Sequence, residues 1–263
     1  MIIEKTIIQS NNQIAENIWK MQFESPQIAE EYVGAGQFVN ILPNDDWNHP
    51  LRRPMSIASV ENSTLSIIYK IFGDVTEALS KKKVGDAIEL LGPIGNVFTK
   101  WDSNVFPILI GGGVGLAPIL NLKDQCHVAD IDYATIIGAK KSNEQFIDHD
   151  PKNKIYLTTD DGSIGETGTV MVPLDKIIAK IDNPHIYACG PEPMLKAIHD
   201  FALKNEIPTQ LSVESYMGCG IGLCQGCVIN KNNKSPKEHS YHEQYSLVCL
   251  DGPIYEAEDI SFA

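Results

Sequence analysis

Over the first hundred residues the apolar positions come in short bursts, separated by glycine, proline and polar residues. Stretches 2–8, 18–23, 37–42, 55–59, 65–72 and 87–91 carry the alternation or β-branched density of strands. The clearest is "LSIIYKIF" at 65–72, and only "TEALSKKK" at 76–83 suggests a helix in this part. Such spacing predicts a small antiparallel barrel or sandwich. From about residue 105 the rhythm changes. "VFPILI" at 105–110 reads as a buried strand that runs into glycines and then a helix from Ala117 toward Cys126. Strands at 133–139 and 154–159, a helix around 171–181, a strand at 185–189, a helix at 192–205 and a strand at 209–215 follow. Alternating strands and helices predict a parallel sheet covered on both faces, a Rossmann-like α/β domain. From about 215 the chain turns cysteine- and glycine-rich, with a polar loop at 230–240 and little room for a core. A segment that short needs a staple. The expected division is a barrel over 1–101, the α/β domain over 102–213 and a small lobe over 214–263.

Composition narrows the partners. With 34 acidic against 21 basic residues the net charge is −13, which argues against nucleic acid. Hydrophobic residues make up 43% of the 263, enough for real cores rather than disorder. The longest mostly apolar stretch, 105–120, is too short and too glycine-broken to span a bilayer. No secretory signal is recognisable at Met1, so the expectation is a soluble, cytoplasmic protein whose six cysteines serve as ligands or bystanders rather than disulfides.

The sharpest chemistry lies in "GCGIGLCQGC" at 218–227. Cys219, Cys224 and Cys227 have the spacing C-x4-C-x2-C and Cys249 follows, the plant-type pattern for a 2Fe–2S cluster. Zinc would more naturally use two C-x2-C pairs, and here there is one. Cys249 is therefore the expected fourth ligand. Cys126 and Cys189 fall outside the pattern, the first expected to be a buried small hydrophobe.

Other motifs carry less on their own. In "LRRPMSIAS" at 51–59, two arginines either edge a strand in solvent or hold a diphosphate, with Ser56 in reach of a flavin nitrogen. The glycines 111, 112, 113 and 115 of "IGGGVGLAP" follow a strand and open a helix, where a dinucleotide approaches backbone. "CGPEPM" at 189–194 repeats that arrangement. The thiol of Cys189 either packs or faces a nicotinamide. "TTDDGSIGETG" at 158–168 reads as a structural turn on the same edge. Lys140 and Lys141 read as a solvated pair before they read as a 2′-phosphate site. The seven histidines show no ligand spacing, and hydrolysis has no support.

The order of these motifs resembles the ferredoxin–NADP reductase superfamily, a flavin-binding barrel joined to a nicotinamide-binding α/β domain. "LRRPMSI", "LLGPIGN", "ESYMGCGIGLCQGC" and "VCLDGP" together resemble the electron-transfer subunits of class B dihydroorotate dehydrogenases, over essentially the whole chain. The resemblance implies FAD on Arg53, Pro54, Met55 and Ser56, flanked by Tyr69, Lys70 and Ile71, with Gly73, Val75 and Thr76 against its diphosphate. It implies NAD on Gly111, Gly112, Gly113, Gly115, Cys189, Gly190 and Pro191. Val75 stands where the family has glycine, and Met55 where many reductases have tyrosine. "GLAP" is closer to the wider superfamily. The resemblance further implies an FMN-containing dihydroorotate dehydrogenase catalytic subunit as partner, two of each in a heterotetramer, in pyrimidine (UMP) biosynthesis. The alternative keeps the cofactors and changes the donor: an NAD(P)H-linked flavin/iron–sulfur subunit of a hydrogenase, transhydrogenase or glutamate-synthase-like complex.

Overall fold

The computed structural model describes residues 1–43, 49–99, 104–232 and 241–262. Six strands form the N-terminal part: β1 (Ile2–Ala15), β2 (Ile18–Glu24), β3 (Phe38–Leu42), β4 (Arg53–Glu61), β5 (Thr64–Lys70) and β6 (Ala87–Ile94). They close into an antiparallel barrel in the order β1-β2-β5-β4-β3-β6, so of barrel and sandwich the chain makes the barrel. The period-2 alternation decides the faces. Val39, Ile41, Ile57, Leu65, Ile67 and Tyr69 fill the interior, whereas Phe38 joins the core of the neighbouring domain.

Two short helices interrupt the barrel, α1 (Pro26–Glu31) and α2 (Asp74–Ser80). The helix expected at 76–83 begins two residues earlier and stops at Ser80. α1 was not anticipated. Pro26 supplies a preset φ at its first turn. The buried Glu4 carboxylate accepts from the N–H groups of Gln27 and Ile28 and from the Ser25 hydroxyl at 2.6–3.2 Å. A strand carboxylate thus does the capping that Ser25 would otherwise do.

The second part is a sheet of β7 (Phe106–Gly112), β8 (Ala134–Ala139), β9 (Ile155–Thr159), β10 (Glu166–Thr167), β11 (Pro184–Cys189) and β12 (Thr209–Ser212), with helices α3 (Leu116–Val128), α4 (Met171–Ile178) and α5 (Glu192–Asn205). These six strands are parallel in the order β10-β9-β8-β7-β11-β12. Leu109 and Tyr187 pack with Ile119 and Leu122 of α3. Ile108, Ile110 and Ile136 pack on the other face with Leu174 of α4 and Leu195 and Ile198 of α5. The chain moves outward from β7 through β9 and returns to place β11 beside β7. Strand order therefore reverses between β7 and β11, where ligands settle in open α/β sheets.

The C-terminal segment departs from expectation. β13 (Val228–Lys231) lies between β14 (Tyr245–Leu247) and β16 (Ile260–Ser261) in a small sheet. β15 (Ile254–Glu256), however, crosses over and pairs antiparallel with β12 at the edge of the large sheet. The strand read at 209–215 ends at Ser212. Cys227, Leu247, Val248, Cys249, Ala257 and Ile260 are buried in one apolar cluster with β7, β8 and α5. The segment thus borrows the α/β core rather than lacking one. The expected 101/102 division and most of the polar loop, 233–240, lie outside the described residues.

The barrel and the sheet meet along β4. Ala58 and Ile68 pack against Ala117 of α3. Asn121 donates to the Ile57 carbonyl at 2.9 Å and accepts from the Tyr32 hydroxyl at 2.9 Å. Burial pushes the Tyr32 phenol up to about 12, which keeps it a donor. Lys70, at the end of β5, reaches across to Glu144 at 2.8 Å.

Candidate functional site

The cysteines are brought together from two loops. Cys219 and Cys224 face each other as hydrogen-bonding thiols, and so do Cys227 and Cys249. The C-x2-C neighbours Cys224 and Cys227 therefore fall into different pairs. Two pairs of thiols fit a 2Fe–2S cluster, which the four cysteines would hold. Main-chain N–H groups already point at the sulfurs: Ile221 and Cys224 at Cys219, Gly222 at Cys249, and Cys249 at Cys227, all at 3.3–3.4 Å. At Cys219 burial opposes the thiolate, yet the N–H donors of Cys224 and Ile221 outweigh it and bring the thiol down to about 7. Burial pushes Cys249 up to about 12. A donor set of four thiols with amides aimed at sulfur fits an anionic iron–sulfur group.

The loop of the fourth cysteine is locked to the barrel. Asn96 donates to the carbonyls of Asp251 and Ile254 at 3.0 and 2.9 Å and accepts from the Ile254 N–H at 2.9 Å. Its own N–H reaches the Gly252 carbonyl at 2.8 Å. A methyl at Gly95 would lie 2.6 Å from Pro253, so the two chains touch there. "LLGPIGN" and "VCLDGP" thus prove to be two halves of one contact.

At the start of β4 the two arginines part. Arg52 pairs with Glu89. Arg53 folds onto the Leu51 and Arg52 carbonyls at 3.1 and 3.2 Å, with no carboxylate partner among the described residues. Met55 packs at the edge of the barrel core, while Ser56 pairs in register with Phe38 on β3. Tyr69 is turned wholly into the barrel, its hydroxyl on Asn11 at 3.0 Å, so the end of β5 offers Lys70, followed by Ile71, rather than the phenol. Gly73 has open space where a side chain would be. Thr76 accepts from the Phe72 and Gly73 N–H groups, and the Val75 side chain is buried, which turns it away from any ligand.

The two glycine turns lie side by side at the C-terminal ends of β7 and β11. A methyl on Gly115 would meet the Cys189 carbonyl at 2.4 Å, and one on Gly112 would meet Met194 at 2.6 Å. Gly113, at φ +57, has nothing within 4 Å and leaves an open cradle. Cys189 is 1% exposed, and burial raises its pKa further than any other influence. Its sulfur is therefore shut inside the protein. Asp160 and Asp161 extend β9 on this same edge, where Asp161 accepts from Ser163 to form the expected turn. Lys140 and Lys141 stay exposed beside it.

Two residues passed without a role in the sequence reading stand in the cleft between this edge and the C-terminal lobe. That cleft, of about 560 Å³, is lined by Gly190, Glu192, Val213, Glu214, Tyr216 and Phe262 among others. The Glu214 carboxyl is surrounded by protein, which raises its pKa, yet its surface is open to the cleft. Tyr216 is 97% exposed. Their sequence signal was their place in "ESYMGCGIGLCQGC", a few residues ahead of Cys219.

A six-stranded barrel joined to a parallel sheet with a switch point, and four thiols held against the barrel, define a ferredoxin reductase-like flavin/iron–sulfur protein. The fold recurs in a ferredoxin NADP⁺ reductase from Neisseria gonorrhoeae solved with FAD and NADP (TM-score 0.61, 17% identity, 77% of this chain and 91% of that one). It recurs more fully in an NADH-dependent reduced ferredoxin–NADP oxidoreductase (TM-score 0.83, 26% identity, 97% and 89%). Residues 214–261 match the iron–sulfur cluster binding domain of dihydroorotate dehydrogenase B. Electron-transfer subunits of NAD⁺-linked dihydroorotate dehydrogenase B from Fusobacterium nucleatum and Caldanaerobacter subterraneus are 34% and 33% identical, over 99% and 98% of both chains. The chain belongs to this family of dihydroorotate dehydrogenase B electron-transfer subunits.

Proposed function

We propose that this chain carries electrons from an FMN-containing dihydroorotate dehydrogenase subunit to NAD⁺, in the de novo synthesis of pyrimidines (UMP). When bound, the 2Fe–2S cluster and FAD supply one-electron carriage and its conversion into hydride transfer. The chain's own residues hold and orient these groups. Cys219 with Cys224, and Cys227 with Cys249, would hold the irons. Arg53 and the open backbone at Gly73 would hold the FAD diphosphate, and Pro54, Met55, Ser56, Lys70 and Ile71 would border its ring. Gly111, Gly112, Gly113 and Gly115, with the backbone of Cys189, Gly190 and Pro191, would receive NAD at the switch point.

The observation that carries the reading is the docking of the cysteine loops on the barrel. Asn96 fastens the Cys249 loop to the end of β6, and β6 is a neighbour of β3 in the barrel, which in turn pairs with β4. Cluster and flavin would then share one side of one barrel. Cys224 and Leu223 are exposed, so this end of the cluster is the one a partner subunit reaches. Two such subunits and two catalytic ones, in the cytoplasm, complete the proposal. Among the described residues no helix is long and apolar enough to cross a membrane.

The likeness to the NADH-dependent ferredoxin–NADP oxidoreductase supports a second reading, with the same cofactors and a different donor. Reconstitution decides between them. Joined to the dihydroorotate-oxidising subunit of the same organism, this chain should make NADH appear on addition of dihydroorotate. No NADH from a stable, fully loaded complex would contradict the proposal.

A further inference from the structure

One polar side chain between barrel and cluster loop has no place in the reading so far. Asn40 lies in the middle of β3 and is 1% exposed. Its neighbours Val39 and Ile41 face the barrel core, so the strand's alternation turns Asn40 outward. There it meets Gly220, directly after the ligand Cys219. A methyl built on Gly220 would lie 1.7 Å from Asn40 Nδ2 and 3.0 Å from the amide carbon, so the amide rests on the Gly220 backbone. Gly220 has φ +68, a left-handed conformation that glycine adopts freely. The loop therefore bends on to Asn40 at a position where only glycine fits.

Asn40 is also the register partner of Pro54 on β4. Its strand thus links the one that would border the flavin to the loop that would hold the cluster. The amide is held there at a cost, since Asn40 Oδ1 is buried with no hydrogen-bond partner. A leucine of similar shape would carry no such penalty.

On these grounds we infer that Asn40 is a positioning residue for the iron–sulfur cluster, its buried amide N–H group facing the Cys219 loop and stabilising the reduced, more negative state of the cluster. The inference rests on the cysteines holding a 2Fe–2S cluster. N–H donors near the sulfurs raise a cluster's potential, because reduction adds negative charge that they offset. Removing the amide should lower the potential. Replacing it with a carboxylate should lower it further, because a charge opposes the added electron.

The test is a redox titration of the intact, loaded chain, with the reduced cluster followed by electron paramagnetic resonance and the flavin by absorbance. Wild type, Asn40→Leu and Asn40→Asp are compared at equal iron content. The expected order of cluster potentials is wild type, then Leu, then Asp, with the flavin potential unmoved. A role in packing alone would leave the cluster potential of Asn40→Leu where it is in wild type, and that result overturns the inference. Should Asn40→Leu fail to retain iron, Asn40→Asp decides alone: an unchanged cluster potential overturns the inference as well. A wild-type chain that shows no cluster signal would instead contradict the reading of the four cysteines.

Discussion

Gly115→Ala puts the geometry of the two nucleotide turns to a quantitative test. Gly115 has φ −61, so its own backbone accepts a side chain without strain. The obstacle is the neighbouring turn. The new Cβ would lie 2.4 Å from the Cys189 oxygen, 2.5 Å from its carbonyl carbon and 2.6 Å from the Gly190 nitrogen. All three are main-chain atoms, so no rotamer change relieves the clash. Unstrained heavy-atom contacts are roughly 3.5–4.0 Å apart, so the turns after β7 and β11 must separate by about 1 Å. Overpacking of this kind costs about 1–3 kcal/mol, and the stability of the chain in denaturant should fall by about 2 kcal/mol. If the same strain is felt when nucleotide binds across both turns, affinity for NADH falls about tenfold for each 1.4 kcal/mol. The assay is the concentration dependence of flavin reduction by NADH in rapid mixing. Gly85→Ala is the control: at φ +91 with nothing within 4 Å, it strains the barrel without touching the turns. It should lose about 1 kcal/mol of stability and keep its affinity for NADH. A Gly115→Ala protein with wild-type stability and wild-type NADH dependence would refute the packing argued here.

Three further substitutions separate the parts of the site. Cys224→Ser should abolish the cluster signal and partner-linked NAD⁺ reduction while sparing NADH oxidation by artificial acceptors; retained partner-linked turnover would remove Cys224 from the ligands. Arg53→Ala should release FAD on gel filtration, whereas Arg52→Ala, which loses its pair with Glu89 and its hydrogen bonds to the Asn40 and Glu89 carbonyls, should keep it. Tight FAD in Arg53→Ala would move the diphosphate site elsewhere. Asn96→Ala removes three side-chain hydrogen bonds to the Cys249 loop and should cost about 2–3 kcal/mol in a denaturant titration. Iron should leave that variant faster under chelator, and wild-type iron retention would show that the clasp does not secure the cluster.

What could be read in the sequence was what is local along the chain. The barrel strands and the β–α alternation follow from hydrophobic period, and C-x4-C-x2-C is contained in ten residues. What escaped depends on residues far apart. Asn96 and Ile254 form one clasp across 158 positions, and nothing in either neighbourhood announces the other. β15 reads as a loop by itself and becomes a strand only because β12 offers an open edge. Tyr69 and Lys70 are adjacent in the sequence, yet strand alternation turns the first into the barrel, where its hydroxyl meets Asn11, and the second out of it to Glu144. α1 was missed although Ser25-Pro26 marked its start, because its cap is Glu4, on another element.

In the proposed function one chain joins a nicotinamide nucleotide site to an iron–sulfur cluster through a flavin. Anaerobic addition of NADH to the isolated, loaded chain, followed by paramagnetic resonance, tests it most directly. The account predicts that the flavin bleaches and the signal of a reduced 2Fe–2S cluster appears, and that Cys224→Ser retains only the bleaching. A flavin reduced by NADH beside a cluster that stays oxidised, although a low-potential chemical reductant reduces it, would contradict the account.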